Sequence, residues 1–170
     1  DDWKLSSKTL VAGSLVRLRL QDAIDGRYTD VETLWAPSEA SSLRGVALTR
    51  DRLYLSVLEH VQSKLLWLPK NASGVEAGQQ VAIEPMRNLT IVSSHPNESE
   101  VLLNVEGFTT PDTLMSLTVS TEEPTKVFTL PERFSASGTR VEQRFAVSKD
   151  GTKVPYFLVM PNGYTADGTT

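Results

Sequence analysis

Apolar positions along the chain fall in short runs rich in Val, Leu and Thr, each closed by turn-forming residues. Branched side chains pack well on a pleated surface, and helical 3.6-residue spacing is almost absent, so the runs read as β-strands. The pattern predicts strands over residues 14–20, 31–34, 45–49, 52–58, 64–68, 80–84, 89–93, 101–105, 113–119, 126–130, 141–147 and 154–160. The breakers between them are specific. Thr49-Arg50-Asp51 reads as a tight turn, Asn71-Ala72-Ser73-Gly74 as a loop, and His95-Pro96-Asn97-Glu98 as a Pro/Asn turn.

A weak internal repeat runs through these strands. Leu15, Leu65 and Leu114 open similar segments spaced by 50 and then 49 residues, and Val31, Val81 and Val127 follow at spacings of 50 and 46. Between them, Arg52-Leu53-Tyr54-Leu55-Ser56-Val57 matches Glu100-Val101-Leu102-Leu103-Asn104-Val105. Four antiparallel strands per repeat, at a period of roughly 40 to 50 residues, is the signature of a β-propeller blade. Two complete blades and the second half of a preceding one fit before Pro131. A β-sandwich or jelly roll would also show many short strands, but does not demand self-similarity at this period, so the repeat favours the propeller.

After Pro131 the repeat stops. Ser135-Ala136-Ser137-Gly138-Thr139 reads as a small-residue linker. Two alternating runs then flank Asp150-Gly151, a hairpin signal that suits a type I′ turn. Pro155 cannot donate to a ladder and is expected near a strand start or on an edge.

Composition narrows the function classes. A net charge of -4 with scattered basic residues argues against nucleic-acid and anionic-membrane surfaces. The absence of cysteine removes disulfides, thiolate metal sites and cysteine nucleophiles. No apolar run reaches the roughly 20 residues of a membrane-spanning helix. Asp1-Asp2-Trp3-Lys4 has no signal-peptide character, so the start reads as internal to a longer protein, and the compartment stays open between cytoplasmic and periplasmic or exported. The sequons at Asn71, Asn88 and Asn97 are three-residue patterns of low specificity.

Catalytic chemistry is not visible. A serine hydrolase needs a nucleophile in G-x-S-x-G, followed by an acid and a histidine, and no such motif occurs. The only histidines, His60 and His95, read as surface or partly packed groups. The acid pairs Glu98/Glu100 and Glu122/Glu123 read as solvated charge at turns or strand ends, and no glycine-rich phosphate loop precedes a helix. Trp35, Trp67, Tyr54 and Phe128 lie on or beside predicted strands and read as packing residues. The expectation is therefore no catalytic, cofactor-binding or metal-binding residue.

Three segments carry a family resemblance. Residues 41–53, with Ser42-Leu43-Arg44-Gly45-Val46, residues 107–114, with Gly107-Phe108-Thr109-Thr110-Pro111-Asp112, and above all residues 141–157, with Val147-Ser148-Lys149-Asp150-Gly151-Thr152-Lys153-Val154-Pro155-Tyr156-Phe157, resemble the prolyl oligopeptidase family of serine peptidases. The resemblance implies a parent enzyme with a seven-bladed propeller, acting as a size filter, and an α/β-hydrolase domain whose Ser-His-Asp triad cleaves short peptides after proline. On that reading the chain is all-β: a partial propeller over residues 1–134, a linker at 135–139, and the first strands of the hydrolase domain, truncated, at 140–170. It is expected to be inactive alone, because the triad lies elsewhere, and to self-associate through uncovered blade edges. The partners implied for the parent are short proline-containing peptides. A stand-alone propeller interaction module and a β-sandwich binding domain remain the alternatives.

Overall fold

The structure, a computed structural model, describes residues 1–72, 78–121, 123–165 and 167–168. Ser73 and Gly74 of the expected loop, Ser73 of the first sequon, Glu122 of the second acid pair, and Ala166, Thr169 and Thr170 of the terminal segment lie outside the described residues. The elements are β-strands with a single short helix among the described residues. β1 (Trp3–Lys4) pairs with β2 (Thr9–Leu10), and β3 (Leu15–Arg17) is separated from its partner β4 (Glu32–Trp35) by α1 (Leu20–Ile24). Next come β5 (Ser41–Leu48), β6 (Arg52–Glu59), β7 (Gln62–Pro69) and β8 (Gln79–Gln80), which form one antiparallel meander. A second meander holds β9 (Arg87–Ser94), β10 (Glu100–Gly107), β11 (Thr110–Thr118) and β12 (Thr125–Thr129). A separate hairpin, β13 (Thr139–Val147) with β14 (Lys153–Pro161), ends the chain's regular structure.

This is the expected partial propeller: a half blade, β3–β4, and two four-stranded blades. Side chains alternate across each strand, so the central strands feed two different cores. Leu55 and Val57 of β6 face the half blade and cluster with Trp35 and Leu68. Tyr54 faces the other way, where it meets Leu65 and, from the second blade, Val101, Leu103 and Val105. Each fully buried aliphatic side chain contributes about 1.5–3 kcal/mol, so the interblade layers hold the stack together. Three hydrogen bonds tie the blade rims: Arg50 N–H donates to the Glu98 carbonyl at 2.8 Å, Arg50 Nη2 donates to the Asn97 carbonyl, and Ser99 Oγ donates to Asp51 Oδ2 at 2.8 Å. Arg52, buried in the same layer, lays its guanidinium 3.6 Å from the Trp67 ring centroid. Burial pushes the Tyr54 phenol above its ordinary range, against the opposing hydrogen bond and charge of Arg52.

The register tests the repeat residue by residue. Leu65 lies opposite Ser56, and Leu114 opposite Asn104, in agreement with the Arg52–Val57 and Glu100–Val105 match read from sequence. Leu15 pairs with Trp35, and Leu114 with Phe128, and both pairings are followed by the same one-residue bulge on the outer strand. Val31, Val81 and Val127 do not superpose. Val31 precedes β4, Val81 donates its N–H to the Leu65 carbonyl at 2.8 Å, and Val127 is the bulged residue that β11 skips. One extra residue at a bulge is enough to displace Val127, whereas Val31 lies before the paired stretch of β4.

Three other local expectations shift. The strand over 14–20 stops at Arg17, whose guanidinium is bound to Glu32, and the chain turns into α1 at Leu20. Leu, Gln and Ala are good helix formers, Asp22 sits in the first turn, and Gln21 Nε2 donates to Asp25 Oδ1 at 2.9 Å, one turn apart. The strand over 80–84 reduces to Gln79–Gln80. The Asp150–Gly151 turn is not type I′, because Gly151 has φ +86° while Asp150 has no positive φ. Ser148 N–H donates to the Thr152 carbonyl at 2.9 Å, which makes a three-residue loop closed by a left-handed glycine. Pro155 is the third residue of β14, whose sole strand neighbour among the described residues is β13, so its missing N–H costs no ladder bond.

Candidate functional site

The hairpin meets the blades through one of its two faces. Cross-strand partners share a face, so Gln143 with Phe157 and Phe145 with Pro155 point the same way, and Glu142 with Leu158 points the other. On the blade side, Gln143 Nε2 donates to the His60 carbonyl at 2.5 Å, and Gln62 Nε2 donates to Gln143 Oε1. The His60 and Phe145 rings meet edge to face at 6.2 Å, and Phe157 stacks at a tilt on Phe108, 5.2 Å between centroids. On the opposite face Glu142 is flanked by Arg144 and Arg140, at 2.7 and 2.8 Å, and their hydrogen bonds, Arg144 first, hold its carboxyl below the usual range.

The β6–β7 turn that receives Gln143 is strained. It has two central residues, His60 and Val61, and both have positive φ, +48° and +64°. Type I′ geometry needs such angles, and normally takes Asn or Gly; a β-branched valine there is an outlier. Met86, just before β9, has φ +59°. Strained positions of this kind gather at functional sites, and these turns line the same cavity.

That cavity encloses about 540 Å³ between the first strands of the two blades and the hairpin. Its apolar wall comes from Val46, Ile91, Met86, Leu58, Phe108 and Phe157, its polar groups from Gln62, Ser63, Asn88 and Thr90, and its charges from Arg44 and Arg87. Arg44 is the bulged residue of β5, between Leu43 paired with Val57 and Gly45 paired with Ser56. Arg87 is held: Nη2 and Nε contact Glu84 Oε2 at 2.6 and 3.3 Å, and Nη1 donates to Thr110 Oγ1. Gly107 makes room for it, since a Cβ there would stand 2.6 Å from Arg87 Nη1. Asn88, the second sequon, is engaged as well, with Nδ2 donating to Glu106 at 2.9 Å. A second cavity, about 770 Å³, lies on the other side of the His60–Val61 turn, against Phe145 and Pro155.

The residues singled out in the sequence do not converge. His60 sits on the β6–β7 turn and His95 in the turn after β9, where its Nδ1 accepts from the Asn97 N–H at 3.2 Å. Among the described residues neither imidazole is hydrogen-bonded to a serine, threonine or carboxylate, and no cluster of acids and histidines has metal-binding geometry. Glu100 accepts a hydrogen bond from Ser116 Oγ at 2.5 Å, while Glu98 takes part through its backbone. Trp35 and Tyr54 are buried, Trp67 packs partly buried on the core, and Phe128 is more than half exposed. Sequence reasoning missed the cavity, Arg44 and Arg87, because its walls come from strands remote in the chain. The Arg44-Gly45 step inside a strand pattern was the one available signal, since an isolated glycine there suggests a bulge.

Comparison with known proteins agrees with this architecture. Residues 5–130 match the family model described as "Prolyl oligopeptidase, N-terminal beta-propeller domain". An uncharacterized peptidase of Sinorhizobium fredii is 32% identical over 170 residues, covering 99% of this chain and 23% of its own length. The solved structure of a post-proline cleaving enzyme from Rickettsia typhi superposes with a TM-score of 0.77 at 27% identity, over 96% of this chain and 24% of that one. Oligopeptidase B from Leishmania major shares the fold, with a TM-score of 0.65 at 18% identity, over 79% of this chain and 20% of its own. The chain thus spans about a quarter of the length of these relatives. Two meandering blades, a half blade before them and a family match across all three lead to one conclusion: the chain belongs to the prolyl oligopeptidase family, in its N-terminal β-propeller domain.

Proposed function

We propose that this chain is a non-catalytic stretch of a prolyl-oligopeptidase-like serine peptidase that cleaves short peptides after proline, with the propeller limiting access by size. The observation that carries the reading is the cavity between blades and hairpin, an open cleft of about 540 Å³ with an apolar wall and several polar groups, bounded by both blades and the hairpin. Peptide-sized ligands suit it; folded proteins do not. In this reading residues 1–134 belong to the propeller, 135–139 are the linker, and 140–170 open the α/β-hydrolase domain. No catalytic residue is assigned to the chain, and the nucleophile, acid and histidine belong to the rest of the longer protein. The uncovered face of the second blade, with Leu102 and Leu114 half-buried and Phe128 exposed, supports self-association when the chain stands alone.

A fluorophosphonate probe tests the assignment. It should label the longer protein at a serine outside these 170 residues, and labelling of a serine within them would overturn the reading. For the size limit, a proline-containing peptide should be cleaved free but spared when displayed on a folded carrier.

A further inference from the structure

We propose that the cavity between the blades and the hairpin is a carboxylate-binding subsite for peptides, with Arg44 as the cation that meets the carboxylate. The inference deepens the peptidase reading and rests on it. Its first support is the sign of the charge. The chain carries a net charge of -4, yet among the described residues the cavity is lined by two arginines and by no aspartate or glutamate. A concave wall of one sign with low-dielectric surroundings concentrates ligands of the other.

The two arginines differ in what they have left to offer. Arg87 is neutralised by Glu84 and fixed to Thr110 against Gly107, so its fork is occupied. Arg44 has no hydrogen bond or ion pair among the described residues. Its position is also built rather than incidental. The bulge between Leu43 and Gly45 leaves Arg44 without a strand partner, on the side opposite Leu43, which packs on the half-blade core, and there it lines the cavity. A planar guanidinium with free donors binds a carboxylate bidentately.

The rest of the lining fits the organic part of such a ligand. Phe108 and Phe157 stack at 5.2 Å, and with Val46, Ile91 and Met86 they offer an apolar surface for a side chain. Thr90 stands beside them as a polar group for a backbone amide. The recognised group is therefore a carboxylate attached to a partly apolar peptide. A free C-terminus and an acidic side chain share that chemistry.

The test uses the longer protein and three peptides of one sequence: the free acid, the C-terminal amide, and an amide with a glutamate as its last residue. Both kcat/KM and equilibrium binding are measured. The free acid should exceed the plain amide by about tenfold, mostly through KM, as for a charge-assisted hydrogen bond. Arg44→Gln should bring that ratio to about one, and Arg44→Lys should restore part of it. If the glutamate amide recovers the preference, the site reads acidic side chains; if not, it reads the terminus. A ratio near one in the wild type, or one unaffected by Arg44→Gln, overturns the subsite. Arg44-dependent binding of the free acid without any cleavage would instead leave the subsite standing and overturn the peptidase reading.

Discussion

Val61 is the residue whose backbone is hardest to account for by propensity. A β-branched side chain at φ +64° costs on the order of 1–2 kcal/mol, and His60 beside it is also left-handed. The turn persists because β6 and β7 pair along their whole length and because Gln143 binds the His60 carbonyl. Val61→Gly should therefore raise stability by about 1 kcal/mol in urea denaturation, glycine's extra unfolded-state entropy offsetting part of the relief. A destabilised variant would show that Val61 packs usefully in the cavity wall. Asp150 gives a second test. Hydrogen bonds from Ser148 Oγ and the Thr152 N–H, the former the larger effect, hold its pKa down to about 2. Its folded pKa lies below its unfolded value near 3.9, so its contribution is present above pH 4 and lost as pH falls through about 2. NMR titration should find that value, and Ser148→Ala should move it upward. At this scale the sequence misled on turns. Asp150-Gly151 suggested type I′, whereas paired positive φ angles occur at His60–Val61, where neither side chain announces them; they are imposed by the strands on either side.

Among the elements, the third strands of the two complete blades offer a matched pair. Leu65 and Leu114 are equivalent by register, yet Leu65 is fully buried between blades and Leu114 is half-buried on the outer face of the second blade. Leu65→Ala should cost about 2–5 kcal/mol in this chain, and Leu114→Ala roughly half as much or less. In the longer protein, where closure of the propeller ring would bring another blade over Leu114, the two costs should converge; their staying apart would count against a closed propeller. The long strands were legible because each alternates a buried and an exposed face, as β10 does with Val101, Leu103 and Val105 against Leu102, Asn104 and Glu106. What escaped was short or irregular. Two-residue β1 and β2 are too brief to show alternation, and α1, five residues long, is too short for the spacing of Leu20, Ala23 and Ile24 to stand out as a helical stripe. The bulge at Val127 and the start of β4 beyond Val31 took the valines out of equivalence while leaving the leucine spacing intact. The cavity is a product of three non-adjacent segments, so no single stretch of sequence could disclose it.

For the whole molecule, the stack of blades exposes Val127, Phe128 and Leu130 on and beside its edge strand β12. Open edges with apolar side chains recruit further strands, so size-exclusion chromatography at micromolar concentration should show dimers or larger species. A clean monomer would contradict that expectation. The central claim concerns division of labour: the chain contributes a propeller-side wall and a peptide-sized cavity, while bond cleavage belongs to the rest of the longer protein. Hydrolysis of a fluorogenic peptide with proline before the scissile bond tests it most directly, measured in parallel on the longer protein and on these 170 residues. The account predicts turnover by the longer protein and none by the chain alone; turnover that rises in proportion to the concentration of the isolated chain would contradict it.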